Sequence, residues 1–135
     1  MSDATIVMKE DISAFERGDG VVTHLMIGKN NATTTDFTSG LTSFPPGRNA
    51  PMHFHNCDEQ VTIMEGEGEV EVDGVKTALN RYDTSYIPAN KPHRFNNIGD
   101  GPLVIFWIYA ARDVTRTFVE TGETVDHLSP GDLVT

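Results

Sequence analysis

The stretch G-R-N-A-P-M-H-F-H-N-C-D-E-Q-V-T-I-M-E-G, Gly47 to Gly66, decides how this chain reads. His53 and His55 sit two apart beside Pro51 and the bulky Phe54, in a strand-like setting. Side chains alternate across a strand, so both imidazoles point to one side, roughly 7 Å apart at the Cα. Glu59, Val61 and Ile63 keep the same odd-numbered parity. Two imidazoles and a carboxylate converging on an apolar face predict a metal site, and His93 is the obvious further ligand. The plainer alternative is a set of core histidines, but buried imidazoles and a buried carboxylate need partners, and a metal supplies them all at once.

Around that stretch the signals are those of a β protein. Val21–Ile27 is rich in β-branched residues and closes at Gly28-Lys29-Asn30-Asn31. F-T-S-G-L-T-S-F reads as a strand that Pro45-Pro46-Gly47 must stop, since proline cannot donate to a ladder. Q-V-T-I-M and E-V-E-V follow, with Asp73-Gly74 as a two-residue hairpin turn. Glu65, Glu67, Glu69 and Glu71 are read as a solvated outer face. L-V-I-F-W-I-Y-A is the most apolar run, with Trp107 and Tyr109 on one face and Val104, Phe106 and Ile108 on the other. Thr115–Val119 is read as an edge strand, His24 as a core or interface histidine, and His127 as a surface one. No 3.6-residue period persists over ten residues. Many short strands separated by turns imply a closed or two-sheet all-β architecture.

The anchors Gly47-x5-His53-x-His55-x3-Glu59-x6-Gly66 match the first motif of the cupin superfamily. A second cupin motif, Gly-x5-Pro-x-Gly-x2-His-x3-Asn, is matched at Pro88, His93 and Asn97. Tyr82 and Asn90 stand where the family has glycine; Asn tolerates left-handed backbone better than most residues, and Tyr does not. On these motifs, at 47–66 and 82–97, the chain resembles a small single-domain cupin spanning 1–135, with an N-terminal arm (1–20) and a C-terminal extension (112–135). The resemblance implies a double-stranded β-helix, a small jelly-roll barrel, whose arm adds a strand to its own sheet or a partner's. It implies one divalent transition metal (Fe, Zn, Mn or Ni) on His53, His55, Glu59 and His93, and a homodimer.

Four protein ligands on an octahedral ion would leave two positions for water or substrate, as a catalytic metal requires. The expected function is a metal-dependent enzyme acting on a small organic molecule, with dioxygenase-like oxidation first and a redox-neutral isomerase, epimerase or lyase second. A non-catalytic ligand-binding or sensor cupin is the reading from another class. Tyr86 and Arg48 are the candidate catalytic side chains, as a general acid and a carboxylate clamp. Phe44, Met64 and Phe95 are candidate pocket walls.

Composition narrows the partners. With twenty acids against ten bases and a net charge of -10, no cluster of three or more Lys or Arg exists. Nucleic acid, a polyanion held through such clusters, is therefore not an expected partner. No apolar run is long enough for a spanning helix, and no leader precedes the first strands, so neither a membrane nor a signal peptide is expected. Cys57 is the only cysteine, which excludes an internal disulfide and fits an expected cytoplasmic location.

Overall fold

A computed structural model describes residues 3–134. After a short 3-10 turn at Lys9–Asp11 the chain runs through twelve strands. These are β1 (Phe15–Gly18), β2 (Val21–Ile27), β3 (Thr38–Phe44), β4 (His53–His55), β5 (Glu59–Glu65) and β6 (Gly68–Val72). There follow β7 (Val75–Leu79), β8 (Thr84–Ile87), β9 (His93–Asn97), β10 (Leu103–Tyr109), β11 (Thr115–Phe118) and β12 (Thr124–Asp126). Two six-stranded sheets result, ordered β1-β2-β3-β10-β5-β8 and β12-β11-β4-β9-β6-β7. Every pairing is antiparallel, and the whole is the expected all-β jelly-roll sandwich. The arm's β1 adds to its own sheet by pairing with β2.

The core lies between the sheets and follows the period-2 pattern. In β10, Leu103, Ile105, Trp107 and Tyr109 are buried, while Val104, Phe106 and Ile108 are half-buried on the outer face. In β5 the buried set is Glu59, Val61 and Ile63. Gly40 makes the Trp107 placement possible, because a Cβ there would lie 2.6 Å from the indole ring. The indole N–H then donates to Thr42 Oγ1 at 2.9 Å. At Gly66, with φ +86°, a Cβ would come 2.3 Å from the Pro102 carbonyl oxygen, so only glycine fits that corner.

The second motif keeps its turns without its glycines. Tyr82 and Asn90 both take left-handed backbone, at φ 73° and 64°. Tyr82 is held there by β5: its N–H donates to Ile63 O at 2.7 Å, and Ile63 N–H donates to Asp83 O at 3.0 Å. For a bulky residue that conformation costs roughly 1–2 kcal/mol. Asn90 N–H donates to His55 O at 2.8 Å, tying the loop before His93 to β4. Asn97 stitches three segments, donating to the carbonyls of Phe44 and Gly101 and accepting from Gly99 N–H.

Three sequence expectations are corrected. The Thr115–Val119 segment is not an edge: β11 lies between β12 and β4, directly beside the histidine strand. Register, which sequence does not carry, decides this. His127 is no surface histidine; its ring packs edge-on to Trp107 and Tyr109, with centroids at 5.0 and 5.1 Å. The glutamate row is only partly a solvated face, since Glu71 accepts from Arg94 Nε at 3.0 Å and Glu69 from Asn96 Nδ2 at 2.9 Å. Among the described residues, no helix is long and apolar enough to cross a membrane.

Candidate metal centre

His53 and His55 come from β4 and His93 from β9, in one sheet; Glu59 opens β5 in the other. The site therefore lies between the sheets, with His53 directly opposite His93 across the β4–β9 pair. All four residues are at most 3% exposed. The imidazole ligand atoms of the three histidines lie within 4.8 Å of one another.

Second partners fix the tautomers. His53 Nδ1 faces Pro51 O at 2.6 Å, His55 Nδ1 faces Thr115 O at 3.0 Å, and His93 Nδ1 faces Lys91 O at 2.8 Å. A carbonyl only accepts, so each Nδ1 carries a proton and each Nε2 is the ring nitrogen left to face the site. His55 Nε2, His93 Nε2 and Glu59 Oε1 are buried with no hydrogen-bond partner. Glu59 nevertheless stands against two of those rings, in close contact with His93 Nε2 and 3.7 Å from His55 Nε2. Buried ring nitrogens and a carboxylate oxygen turned on one another without hydrogen-bond partners are what a bound cation would satisfy. The three histidines could hold a metal, and their imidazole donors suit a transition ion rather than Ca or Mg.

Protonation agrees with that donor set. Burial holds His55 down at about 3 despite the pull of Glu59, with Arg116, His93 and His127 adding to the fall. Burial, together with Arg116, His55 and His93, keeps His53 well below the usual imidazole range. Burial would raise Glu59, but His93, His55 and Arg116 outweigh it and the carboxyl is lowered. At neutral pH the site thus offers neutral His53 and His55 rings and an ionised carboxylate.

His53 and His93 line a cavity of about 30 Å³. Phe44 and Phe95, both expected as walls, line it with Val61, Ile105, Trp107 and Tyr109. The other expected residues lie elsewhere. Tyr86 is 65% exposed, because Ile87 takes the inward position of β8. Its hydroxyl donates to Asp58 Oδ2 at 2.8 Å, while Asp58 Oδ1 accepts Ala89 N–H, so the pair braces the loop that aims His93. Arg48 is solvent-facing, 3.9 Å from Asp19. Met64 follows inward Ile63 on β5 and turns outward. Cys57 is buried, and burial with Glu59 and Asp58 raises its thiol to about 11, so it is protonated at neutral pH.

Residues that sequence reasoning passed over complete the cavity: Tyr109, Arg17 and Arg116. Tyr109 packs on His55 at 4.5 Å between centroids and on Trp107 at 4.8 Å. Burial, Glu59 and Asp132 raise its hydroxyl, against the opposing pull of Arg116 and Arg17. Arg17 and Arg116 converge on Asp132 of the C-terminal segment, which is fully buried. An arginine set among strand residues (F-E-R-G, T-R-T-F) was the available signal, because a strand interior seldom buries a cation without a partner.

The family model for the cupin domain matches residues 40–109, from β3 through β10. The chain belongs to the cupin family. It is 32% identical over 134 residues to protein SchB of Streptomyces halstedii, covering 97% of this cupin and 96% of that protein. Over 62 residues it is 37% identical to polyketide synthase CurC of Streptomyces cyaneus, covering 45% of this cupin and 40% of CurC. A match to MJ1618 of Methanocaldococcus jannaschii (39% over 62 residues) spans 45% of this cupin and half of that protein. Among solved structures, oxalate decarboxylase of Bacillus subtilis superimposes with TM-score 0.73 at 23% identity, over 82% of this cupin and 30% of that chain. The polyketide cyclase RemF of Streptomyces resistomycificus superimposes with TM-score 0.67 at 17% identity, over 79% of both chains. At those identities the structural likeness speaks for the fold.

Proposed function

We propose that this cupin is a metal-dependent enzyme holding one divalent transition metal on His53, His55, His93 and Glu59 and acting on a small carbonyl- or carboxyl-bearing molecule. The observation that carries this is the set of Nδ1-to-carbonyl contacts, which leave three Nε2 atoms to face the site, with ligand atoms of the three rings within 4.8 Å of one another beside the Glu59 carboxylate. A metal so bound would act as a Lewis acid on a substrate oxygen. The chain's own contribution is shaping and proton placement. Phe44, Val61, Phe95 and Ile105 exclude water, which strengthens every charge interaction within the cavity. Tyr109 keeps its hydroxyl proton at neutral pH and is the donor we assign to the substrate oxygen.

We place redox-neutral chemistry ahead of the dioxygenase-like alternative. The names of two structural neighbours, an oxalate decarboxylase and a polyketide cyclase, describe conversions of carboxyl- or carbonyl-bearing molecules that need no net oxidant. The test is metal-loaded protein with small 2- and 3-keto acids in D2O, followed by proton NMR beside an oxygen electrode. Exchange of α-protons or loss of carboxyl without oxygen consumption is expected. Substrate-dependent oxygen uptake would install the oxidative reading; neither response would favour a ligand-binding cupin. We also propose a homodimer, packed through the outer face of the first sheet, where Val22, Leu41, Phe106 and Ile108 are half-buried. A monomer by light scattering at micromolar concentration would refute it.

A further inference from the structure

Beside the histidines the cavity is lined by a buried guanidinium whose donors are not all used. Arg17, Arg116 and Asp132 are buried together, at 3%, 5% and 0% exposure. Arg17 uses its whole fork: Nη2 donates to Asp132 Oδ2 at 2.9 Å, Nη1 to Oδ1 at 3.4 Å, and Nε to Thr23 Oγ1 at 2.9 Å. Asp132 also accepts Leu128 N–H at 2.8 Å. Arg116 is left with the remainder. Its Nε stands 3.2 Å from Asp132 Oδ1 without hydrogen-bond alignment, and its Nη1 is buried with no partner among the described residues. Burial and Arg116 lower Arg17 to about 10 against the pull of Asp132, so it remains a cation at neutral pH. An arginine does not deprotonate in a protein, so two cations face one carboxylate. Glu59 lines the same cavity and Arg116 stabilises its charge, but its close contacts are with His93 and His55 and it accepts no hydrogen bond from Arg116 Nε or Nη1.

A buried cation with an unused donor is costly unless something pairs with it. Arg116 lines the same cavity as His53, His93 and Glu59, and its strand position is paired with His55. We propose that Arg116 is the recognition residue for the carboxylate of a small molecule bound in this cavity, its Nη1 donating to one carboxylate oxygen. The size and walls select the ligand. About 30 Å³ between Phe44, Phe95 and Trp107 suits a planar carboxylate of few atoms, and one free guanidinium edge suits a monoanion better than a phosphate dianion. The inference deepens the function proposed above and rests on it only where the bound molecule also faces the metal; the Arg116 contact itself needs no metal.

The test uses Trp107, the single tryptophan of the chain and part of the cavity wall. EDTA-treated protein is titrated with sodium acetate at constant ionic strength, with acetamide as the neutral isostere, and tryptophan emission is followed. Acetate should give a saturable change and acetamide none. Arg116→Gln should weaken acetate binding about tenfold or more, the loss expected for a charge-assisted hydrogen bond, and Arg116→Lys should fall between. An equal response to acetamide, an unsaturable response to acetate, or unchanged affinity in Arg116→Gln overturns the proposal. Should Arg116→Gln fail to fold, the acetate–acetamide comparison on wild type still decides. A parallel Zn titration separates the two readings. Zn bound without acetate recognition removes Arg116 and leaves the triad; acetate recognition without Zn does the reverse.

Discussion

Replacing Asp132 by Asn removes one negative charge from a cluster in which two guanidinium groups depend on it. The side chain is fully buried, accepts both Nη groups of Arg17, lies 3.2 Å from Arg116 Nε and accepts Leu128 N–H. The isostere keeps the shape and loses the charge, so both cations remain buried and unpaired. Breaking a buried pair in this way costs about 3–5 kcal/mol. A chain of 135 residues has an unfolding entropy of about 0.28 kcal/mol/K, so the melting temperature should fall by roughly 11–18 °C. The assay is differential scanning calorimetry of EDTA-treated wild type and Asp132→Asn at pH 7.5, so that bound metal does not mask the difference. The two arginines should behave unequally. Arg17→Gln removes two hydrogen bonds to Asp132 and one to Thr23 and should cost about as much, whereas Arg116→Gln removes a guanidinium whose Nε and Nη1 make no hydrogen bond and should cost under about 1.5 kcal/mol. A fall below about 4 °C for Asp132→Asn, or equal losses at the two arginines, would refute the charge argument.

Acid should unfold the metal-free protein early. His53, His55 and His127 are held neutral in the fold below the ordinary imidazole range, while the unfolded chain takes up protons near pH 6.5. Their contribution is present above about 6.5 and lost as pH falls toward 3, at up to about 1.4 kcal/mol per unit for each ring. Glu59, lowered in the fold, adds a loss only below its usual range near 4.5. A melting temperature unchanged between pH 7.5 and 5 would contradict this. Tyr82→Gly should stabilise the protein by about 0.5–1 kcal/mol, because relief of the left-handed backbone at φ 73° outweighs the exposed Arg81–Tyr82 contact. Chemical denaturation reads it, and a loss of stability would show that the ring contributes more than its backbone costs.

The β architecture and the metal candidates were legible because both depend on short-range order. The His53-x-His55 parity, the Asp73-Gly74 turn and the Pro45-Pro46-Gly47 break all act within a few residues. What needed register was hidden. Nothing local in T-R-T-F says that β11 lies beside β4, so Arg116 could not be placed near His55. Arg48 and Tyr86 adjoin the motifs in sequence, but the nearby buried positions belong to Ala50 and Ile87. The burial of His127 is hidden in sequence because its neighbours, Tyr109 and Trp107, lie eighteen and twenty residues before it. Tyr82 shows the opposite case: a residue that breaks the local rule while the hydrogen bonds to Ile63 and from Ile63 to Asp83 keep the turn.

Metal content of the protein, measured against that of His53→Ala/His55→Ala, tests the central claim most directly. Protein stripped with EDTA is reloaded separately with Zn, Mn, Fe(II) and Ni, desalted, and analysed for metal per chain, with circular dichroism to confirm the fold. About one ion per chain in wild type, and none in a folded double variant, is the predicted result. Folded wild type that retains none of the four ions, or a double variant that retains them all as well as wild type does, would contradict the metal centre.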